Sequence, residues 1–376
     1  MIINRTPFRI SFFGGGTDYP EWYLKHGGAV LNTSIDKYCY ITCRVLPPFF
    51  EHRLRIVYSK MEECHGYKEI KHPAVREVLH FLNIEKGLEI HHDGDLPARS
   101  GMGSSSSFTV GLLHALYAYM GIMPSKKQLA KESIHIEQNM IKEAVGSQDQ
   151  VCAAYGGLNL INFSTNGQFD VQPVTLSSNR MEELDSHLML FYTGIKRTAS
   201  NIVKGYEDVF NEKNELLKQM QEMVDQGVEI LKSNSDICKF GELLHKSWSL
   251  KRNLSSNITN HEVDNLYNKA QKAGAIGGKI TGAGGGGFLL LFVPPEKQEH
   301  VREALSENIH VPFRFESGGS QIIFYELERE DYSEAEKDRA KRKISCFKEL
   351  DSFEKPLNIK DIPPKNKDKK QTEHTV

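Results

Sequence analysis

The stretch PARSGMGSSSSFTV, residues 97–110, opens on a proline and holds two glycines and five serines within its first eleven positions. Gly101 and Gly103 let the backbone approach a ligand closely and take conformations barred to other residues. The segment that follows, FTVGLLHALYAYM, has helical spacing and stops at Gly121, which suits the position just past a helix end. A helix opening just after a glycine loop leaves its first N–H groups unpaired and points its positive dipole end at the loop, so phosphate is favoured there. A flexible glycine–serine linker is the competing reading, and it predicts little order on either side. Here the strand-like LEIHHDGDLP precedes the loop and a strongly apolar helix follows it. The loop is read as a phosphate site.

Around that loop lies a chain of 376 residues, long enough for two domains. Its 39% hydrophobic and 26% charged content is that of an ordinary globular protein. A formal net charge of −2 gives no general affinity for nucleic acid or for an anionic membrane, so neither is expected as a partner. The six cysteines (Cys39, Cys43, Cys64, Cys152, Cys238, Cys346) are scattered without a CxxC pair and read as reduced core residues. The N-terminal MIINRTPFRIS lacks a long apolar run, and 18 consecutive apolar residues occur nowhere. A cytoplasmic protein is expected.

Short apolar runs and turns fill residues 1–50, and AVLNTSIDKYCYITCRV (29–45) alternates well enough for one long half-buried strand. LRIVYS and LEIHHDGDLP add strands. Pro124 and Ser125 open a second helix expected to run to about Gly146, and SQDQVCAAY forms a short third one before the strand LNLINF. HLMLFYTG (187–194) starts a second unit with helices over roughly 198–232, 236–252 and 260–273. In that unit FLLLFV is a buried strand, and SQIIFYEL is read as the strand that closes it. Mixed elements without a regular βαβ repeat predict two α+β domains, 1–185 and 186–330. The charged segment 331–376, ending PPKNKDKKQTEHTV, reads as a solvated tail.

Familiar nucleotide motifs do not fit. Gly278-Lys279 comes nearest to a Walker A loop, but Ala273 stands at its first glycine and Ile280 follows the lysine. GAGGGG (282–287) matches G-x-G-x-x-G, yet a strand rather than a helix follows it. Two acids complete a candidate site. Phosphoryl transfer needs a carboxylate to hold a cation on the phosphates and a group to orient or deprotonate the attacking hydroxyl. Glu137 in the second helix and Asp149 at the start of the third supply both, although each alone also reads as a surface or capping residue. His91 and His92 are adjacent on a strand and face opposite ways, so they are not a metal pair.

Together these features resemble the GHMP kinases, the galactokinase, homoserine kinase, mevalonate kinase and phosphomevalonate kinase superfamily. TPFRISFFGGGTDYP resembles its N-terminal substrate motif, with Arg9 and Thr17-Asp18-Tyr19 at the galactokinase spacing. PARSGMGSSSS is similar to its phosphate loop P-x-x-x-G-L-G-S-S-A-S, with Met102 for leucine and Ser106 for alanine. KITGAGGGGFLLLF resembles its C-terminal glycine motif, and GSQDQVCAAYGG the segment with the catalytic aspartate. Residues 1 to about 330 are covered. Within the superfamily, the first motif and YTGIKRTAS look most like D-glycero-D-manno-heptose 7-phosphate kinase.

The resemblance implies an α+β fold of two domains, an N-terminal ribosomal-S5-like α/β domain and a C-terminal ferredoxin-like α+β domain. It implies an ATP- and Mg²⁺-dependent kinase acting on the anomeric hydroxyl of a heptose phosphate. A kinase of a free sugar such as fucose or galactose is the alternative, and a non-catalytic sugar or nucleotide sensor a further one. ATP phosphates are expected on Gly101, Met102, Gly103, Ser104, Ser105 and Ser106. Ser105 and Glu137 are expected to hold Mg²⁺, with the register among the consecutive serines left open. Asp149 is expected to orient the sugar hydroxyl and accept its proton, with Arg9 balancing charge. Gly15, Gly16, Thr17 and Asp18 are expected at the sugar, where galactokinases carry GEHTDY in place of GGGTDY. Gly284, Gly285 and Gly286 either line the cleft or form a tight turn. Lys196 and Arg197 either meet the 7-phosphate, with Arg99 as rival, or are solvated.

Overall fold

Apolar–polar alternation over the first 45 residues produces a long antiparallel pair, β1 (Ile2–Phe13) and β2 (Gly28–Val45), with the short helix α1 (Pro20–His26) between them. The computed structural model describes residues 1–98, 100–195, 213–255 and 258–326, with a few single positions between 332 and 338. Next come β3 (Leu54–Val57), β4 (Met61–Cys64), α2 (Pro73–Phe81), β5 (Leu88–Gly94), α3 (Ser104–Tyr119), α4 (Lys126–His135), α5 (Gln148–Tyr155), β6 (Leu158–Phe163) and β7 (Phe169–Pro173). The second half holds α6 (Ser178–Ser186), β8 (Leu188–Tyr192), α7 (Asn214–Lys232), α8 (Cys238–Arg252), α9 (His261–Lys272), β9 (Gly277–Ile280), β10 (Phe288–Phe292) and α10 (Gln298–Ala304). Three short strands end the described fold: β11 (Ile309–His310), β12 (Phe315–Glu316) and β13 (Gln321–Tyr325).

Two sheets result. One has the order β13-β1-β2-β5-β3-β4, with β12 and β6 also on β2 and β7 on β6; the other runs β11-β8-β10-β9. Helices α3 and α5 pack on β1 and β2, and α7 packs on the same two strands. Burial of the last eight residues of β1 on both faces follows from this sandwiching. Phe12 and Phe13 of β1 meet Phe240 of α8 edge-on, with centroids 5.3 and 5.1 Å apart, so the two halves share aromatic packing.

Register inside the β1–β2 pair decides what faces the helices. Asn4 and Thr6 point toward α3, where a Cβ on Gly111 would lie 2.7 Å from Asn4 Oδ1. Between Pro7 and Phe8 the pairing slips, from Pro7 opposite Tyr38 to Phe8 opposite Ile35. Beyond the slip it is Arg9 and Ser11, opposite Ser34 and Asn32, that face α5, whose Cys152 touches the Ser34 hydroxyl. An irregularity of this kind re-aims every later side chain.

Three differences from the sequence reading matter here. The second helix ends early: α4 stops at His135 and Ile136–Met140 form one wide π turn, which carries Glu137. The strand read as closing the second unit, SQIIFYEL, is instead the edge of the first sheet, with Ile2 opposite Tyr325. It is fixed there by the buried Ser320 hydroxyl, which accepts from Asn4 Nδ2 and Thr6 Oγ1, both at 2.9 Å. The helix expected over 198–232 is described from Asn214 onward, and residues 196–212 and the tail from 339 lie outside the described residues. The Gly121 end of α3, at φ +72°, and the Ser125 hydroxyl capping Gln128 N at 3.1 Å form as read. No helix among the described residues is long and apolar enough to cross a membrane.

Candidate active site

The phosphate loop lies alongside β1, held by the Arg9 N–H donating to the Met102 carbonyl at 3.1 Å. From the same residue the guanidinium reaches two ways. Its Nε and Nη2 donate to Asp149 Oδ1 and Oδ2 at 2.6 and 2.7 Å, while Nη1 donates to the Gly101 carbonyl at 2.8 Å. One buried arginine therefore ties the loop to the start of α5, in the two-pronged geometry that suits a carboxylate. Burial works against the Arg9 charge, but the Asp149 carboxylate outweighs it and holds the guanidinium protonated.

Gly103 sits at φ +75° just before α3, and a Cβ there would lie 3.1 Å from Arg9 Cγ and 3.5 Å from Asp149 Oδ2. Gly101, at φ +80°, has the Thr281 carbonyl 2.4 Å from where its Cβ would be. Gly282, at φ +70°, would put its Cβ 2.5 Å from Gly101 Cα. The phosphate loop and the C-terminal glycine stretch thus touch backbone to backbone. A Gly101→Ala enzyme is expected to lose about 2–4 kcal/mol of stability from left-handed strain plus overpacking, and ATP affinity with it. Urea melts and calorimetric ATP titration check this; unchanged values in both would show the contact to be compliant.

Of the loop serines, Ser106 meets the acid of the wide turn. Its buried hydroxyl donates to Glu137 Oε2 at 2.9 Å, and Gln150 Nε2 donates to the same oxygen at 2.5 Å. Glu137 Oε1 is buried and has no partner among the described residues. Burial pushes the Glu137 carboxyl up to about 7, despite the hydrogen bonds it accepts. Ser105, expected beside it, is exposed on α3, and it is Ser106 that touches Glu137. The Met102 side chain is wholly buried in the core, and its carbonyl serves Arg9. Ser107 donates to the Pro7 carbonyl at 2.9 Å and fastens the helix to β1.

The GGGTDY turn mostly holds itself together. Thr17 Oγ1 is buried between the Gly14 and Ala29 carbonyls, at 2.8 and 2.9 Å, and locks the turn. Asp18 is buried and accepts from Gly16 N at 2.9 Å and Gln148 N at 3.3 Å, which fixes the start of α5 and thereby Asp149. Burial, reinforced by Asp149, raises its carboxyl despite these bonds. Gly146 belongs to the same arrangement, since a Cβ there would lie 2.0 Å from Asp18 Oδ2. Gly16, at φ +112°, is covered by Leu217, and Gly15 remains partly open.

Gly284, Gly285 and Gly286 are buried. A Cβ on Gly284 would meet the Ile258 carbonyl at 2.6 Å and one on Gly286 the Ile195 side chain at 2.8 Å, while Gly285 N donates to Ile258 O at 2.6 Å. The triplet forms a buried, bent segment that leads into β10. Lys196, Arg197 and Arg99 lie outside the described residues. Two lysines escaped the sequence reading. Lys279 is buried and donates to the Ser11 and Phe12 carbonyls, both at 2.9 Å, which pins β9 to the end of β1; Lys251 donates to Gly282 O at 2.6 Å. Burial, then Lys251 and Arg9, pulls the Lys279 amine well down. Lys279 did stand out in the failed Walker A match, but nothing local says that it crosses to another sheet.

A glycine loop at a helix N-terminus, a carboxylate held by a loop-bound arginine and a second carboxylate facing a loop serine make up a phosphotransferase site. The profile "GHMP kinases N terminal domain" matches residues 68–157, and "GHMP kinases C terminal" matches 228–311. The chain belongs to the GHMP kinases and is an ATP-dependent sugar kinase. It is 27% identical over 320 residues to D-glycero-alpha-D-manno-heptose 7-phosphate kinase of Campylobacter jejuni, covering 81% of this chain and 93% of that one. Against the L-fucokinase/L-fucose-1-P guanylyltransferase of Bacteroides fragilis identity is 26%, over 83% of this chain but 37% of that protein's length. In fold it is similar to a D-glycero-D-manno-heptose 1-phosphate kinase from Bacteroides thetaiotaomicron, with TM-score 0.66 at 22% identity over 87% of this chain and all of that one.

Proposed function

We propose that the chain transfers the γ-phosphoryl group of ATP to the anomeric hydroxyl of D-glycero-D-manno-heptose 7-phosphate, giving the 1,7-bisphosphate. The observation that carries the chemistry is the Arg9–Asp149 pair standing against the phosphate loop. Similarity to the C. jejuni enzyme along nearly its whole length supports the sugar. Asp149 orients the hydroxyl and takes its proton as the new O–P bond forms, and Arg9 steadies both the carboxylate and the loop.

Phosphates rest on the amides of 101–106 at the start of α3. Glu137 and Ser106 would hold Mg²⁺. The unpartnered buried Glu137 Oε1 and the neighbouring hydroxyl form the hard oxygen donor set that this ion takes. Bound there, the ion neutralises phosphate charge. Lys196 and Arg197 receive the 7-phosphate.

One panel tests the reading: ATP consumption with free and phosphorylated hexoses and heptoses. The heptose 7-phosphate is expected to be the fastest substrate. Arg197→Ala should raise its KM by one to two orders of magnitude while sparing free sugars, as loss of a charged hydrogen bond requires. Preference for a free sugar would overturn the assignment. The match to the fucokinase keeps L-fucose first among those alternatives. Absence of turnover with every sugar would favour a sensor.

A further inference from the structure

Besides Ser100 Oγ in the loop and Glu137 Oε1 and Gln150 Oε1 beside it, four polar atoms near the site are buried and lack a hydrogen-bond partner among the described residues: Ser11 Oγ, Asn32 Nδ2 and Oδ1, and Gln148 Oε1. Their residues are 6%, 0% and 8% exposed. Buried polar groups are almost always paired, because leaving water without a partner costs folding free energy. Their placement is not random. Ser11 and Asn32 are opposite one another in the β1–β2 register, one pair further along the α5-facing side than Arg9 and Ser34. Gln148 directly precedes Asp149. The side-chain ends of Ser11 and Gln148 converge beside Gly15, where a Cβ would lie 3.7 Å from Ser11 Oγ and 3.6 Å from Gln148 Nε2.

We propose that Ser11 and Gln148, backed by Asn32, form a subsite that receives a hydroxyl of the sugar near the reacting one, and that Gly15 keeps this slot open. The donor–acceptor character selects the ligand. The Gln148 and Asn32 carbonyl oxygens accept, the Ser11 hydroxyl and the amide nitrogens donate, and a sugar hydroxyl does both; a phosphate oxygen could only accept and would face those carbonyls unpaired. Two residues along a strand from Arg9 is about 7 Å, which matches a hydroxyl a carbon or two from the reacting centre. Gly15 is not in the left-handed region, and the distances to its would-be Cβ are ordinary contacts, so a methyl is tolerated by the backbone and lands in the slot.

The subsite rests on the sugar-kinase reading above, so its test has two arms. Steady-state kinetics with heptose 7-phosphate and with L-fucose compare wild type, Ser11→Ala and Gly15→Ala. Whichever sugar the wild type turns over should show a KM raised about ten-fold or more in both variants, with the KM for ATP within two-fold. Thermal melting of ligand-free Ser11→Ala should be unchanged or raised, because the lost hydroxyl had no protein partner.

Sugar KM values within two-fold of wild type would overturn the subsite. A lowered Tm for Ser11→Ala would overturn it too, since the hydroxyl would then have a structural partner. Failure of the wild type to use either sugar counts against the substrate assignment alone, and the melting arm still decides the subsite.

Discussion

Asp149→Asn should leave ATP bound and the reaction nearly silent, with turnover down by roughly two to four orders of magnitude, the range lost with a positioned proton acceptor. Asparagine keeps the shape but turns one oxygen into a donor, which then faces Arg9 Nε or Nη2, both of them donors. The acceptor that aligns the sugar hydroxyl is gone, and so is half of the Arg9 clamp. Arg9 keeps its bond to the Gly101 carbonyl, so the phosphate loop stays in place and ATP affinity should change only a few-fold. The Arg9 side chain is 5% exposed, so the donor left unpaired stays buried, at a cost of about 1–3 kcal/mol. Single-turnover kinetics and calorimetric ATP titration separate the two effects. Unchanged turnover would reduce Asp149 to a residue that favours a helix start. Equal loss of ATP affinity would mean that it acts only through the loop.

Glu137→Gln should move stability and metal dependence in opposite directions. Burial pushes this carboxyl from its ordinary 4.5 up to about 7, so between those values the folded protein keeps a proton that the unfolded chain has released. The stability due to the neutral form is complete below about pH 4.5 and lost as pH rises through about 7. Above that pH, metal-free wild type carries a buried carboxylate at a cost of about 3 kcal/mol. Glutamine keeps an acceptor for Ser106 and Gln150 and has no charge to bury. Chemical denaturation in chelator at pH 8 should show the variant more stable than wild type, with the gap closing by pH 5. Greater stability of the wild type at pH 8 would sink the account. In the assay, the Mg²⁺ concentration for half-maximal rate should rise, because an anionic ligand has become neutral. An identical Mg²⁺ dependence would remove Glu137 from the proposed metal shell.

What the sequence determined by itself was everything set by short-range chemistry. Gly101 and Gly103 followed by an unbroken apolar helix suit a phosphate-type loop, because glycine permits the positive φ and the helix leaves its amides open. Ser125 as a cap, Gly121 as a stop and the buried strand after the C-terminal glycines are decided within a few residues of each position. Arg9, Glu137 and Asp149 stand out because their motifs lie in order along the chain.

Tertiary structure alone decided which side chains meet. A slip at Pro7/Phe8 re-aims Arg9 and Ser11 toward α5, and no local pattern announces it. The π turn at Ile136–Met140 presents Glu137 to Ser106 rather than Ser105, and β13 closes the first sheet through a buried Ser320 some 314 residues from Thr6. Lys279 likewise serves the carbonyls of Ser11 and Phe12 from another sheet. Facing is set by the packing of whole elements, whose hydrophobic burial is non-directional along the chain. Periodicity therefore reports that a residue is buried, and only the fold reports against what.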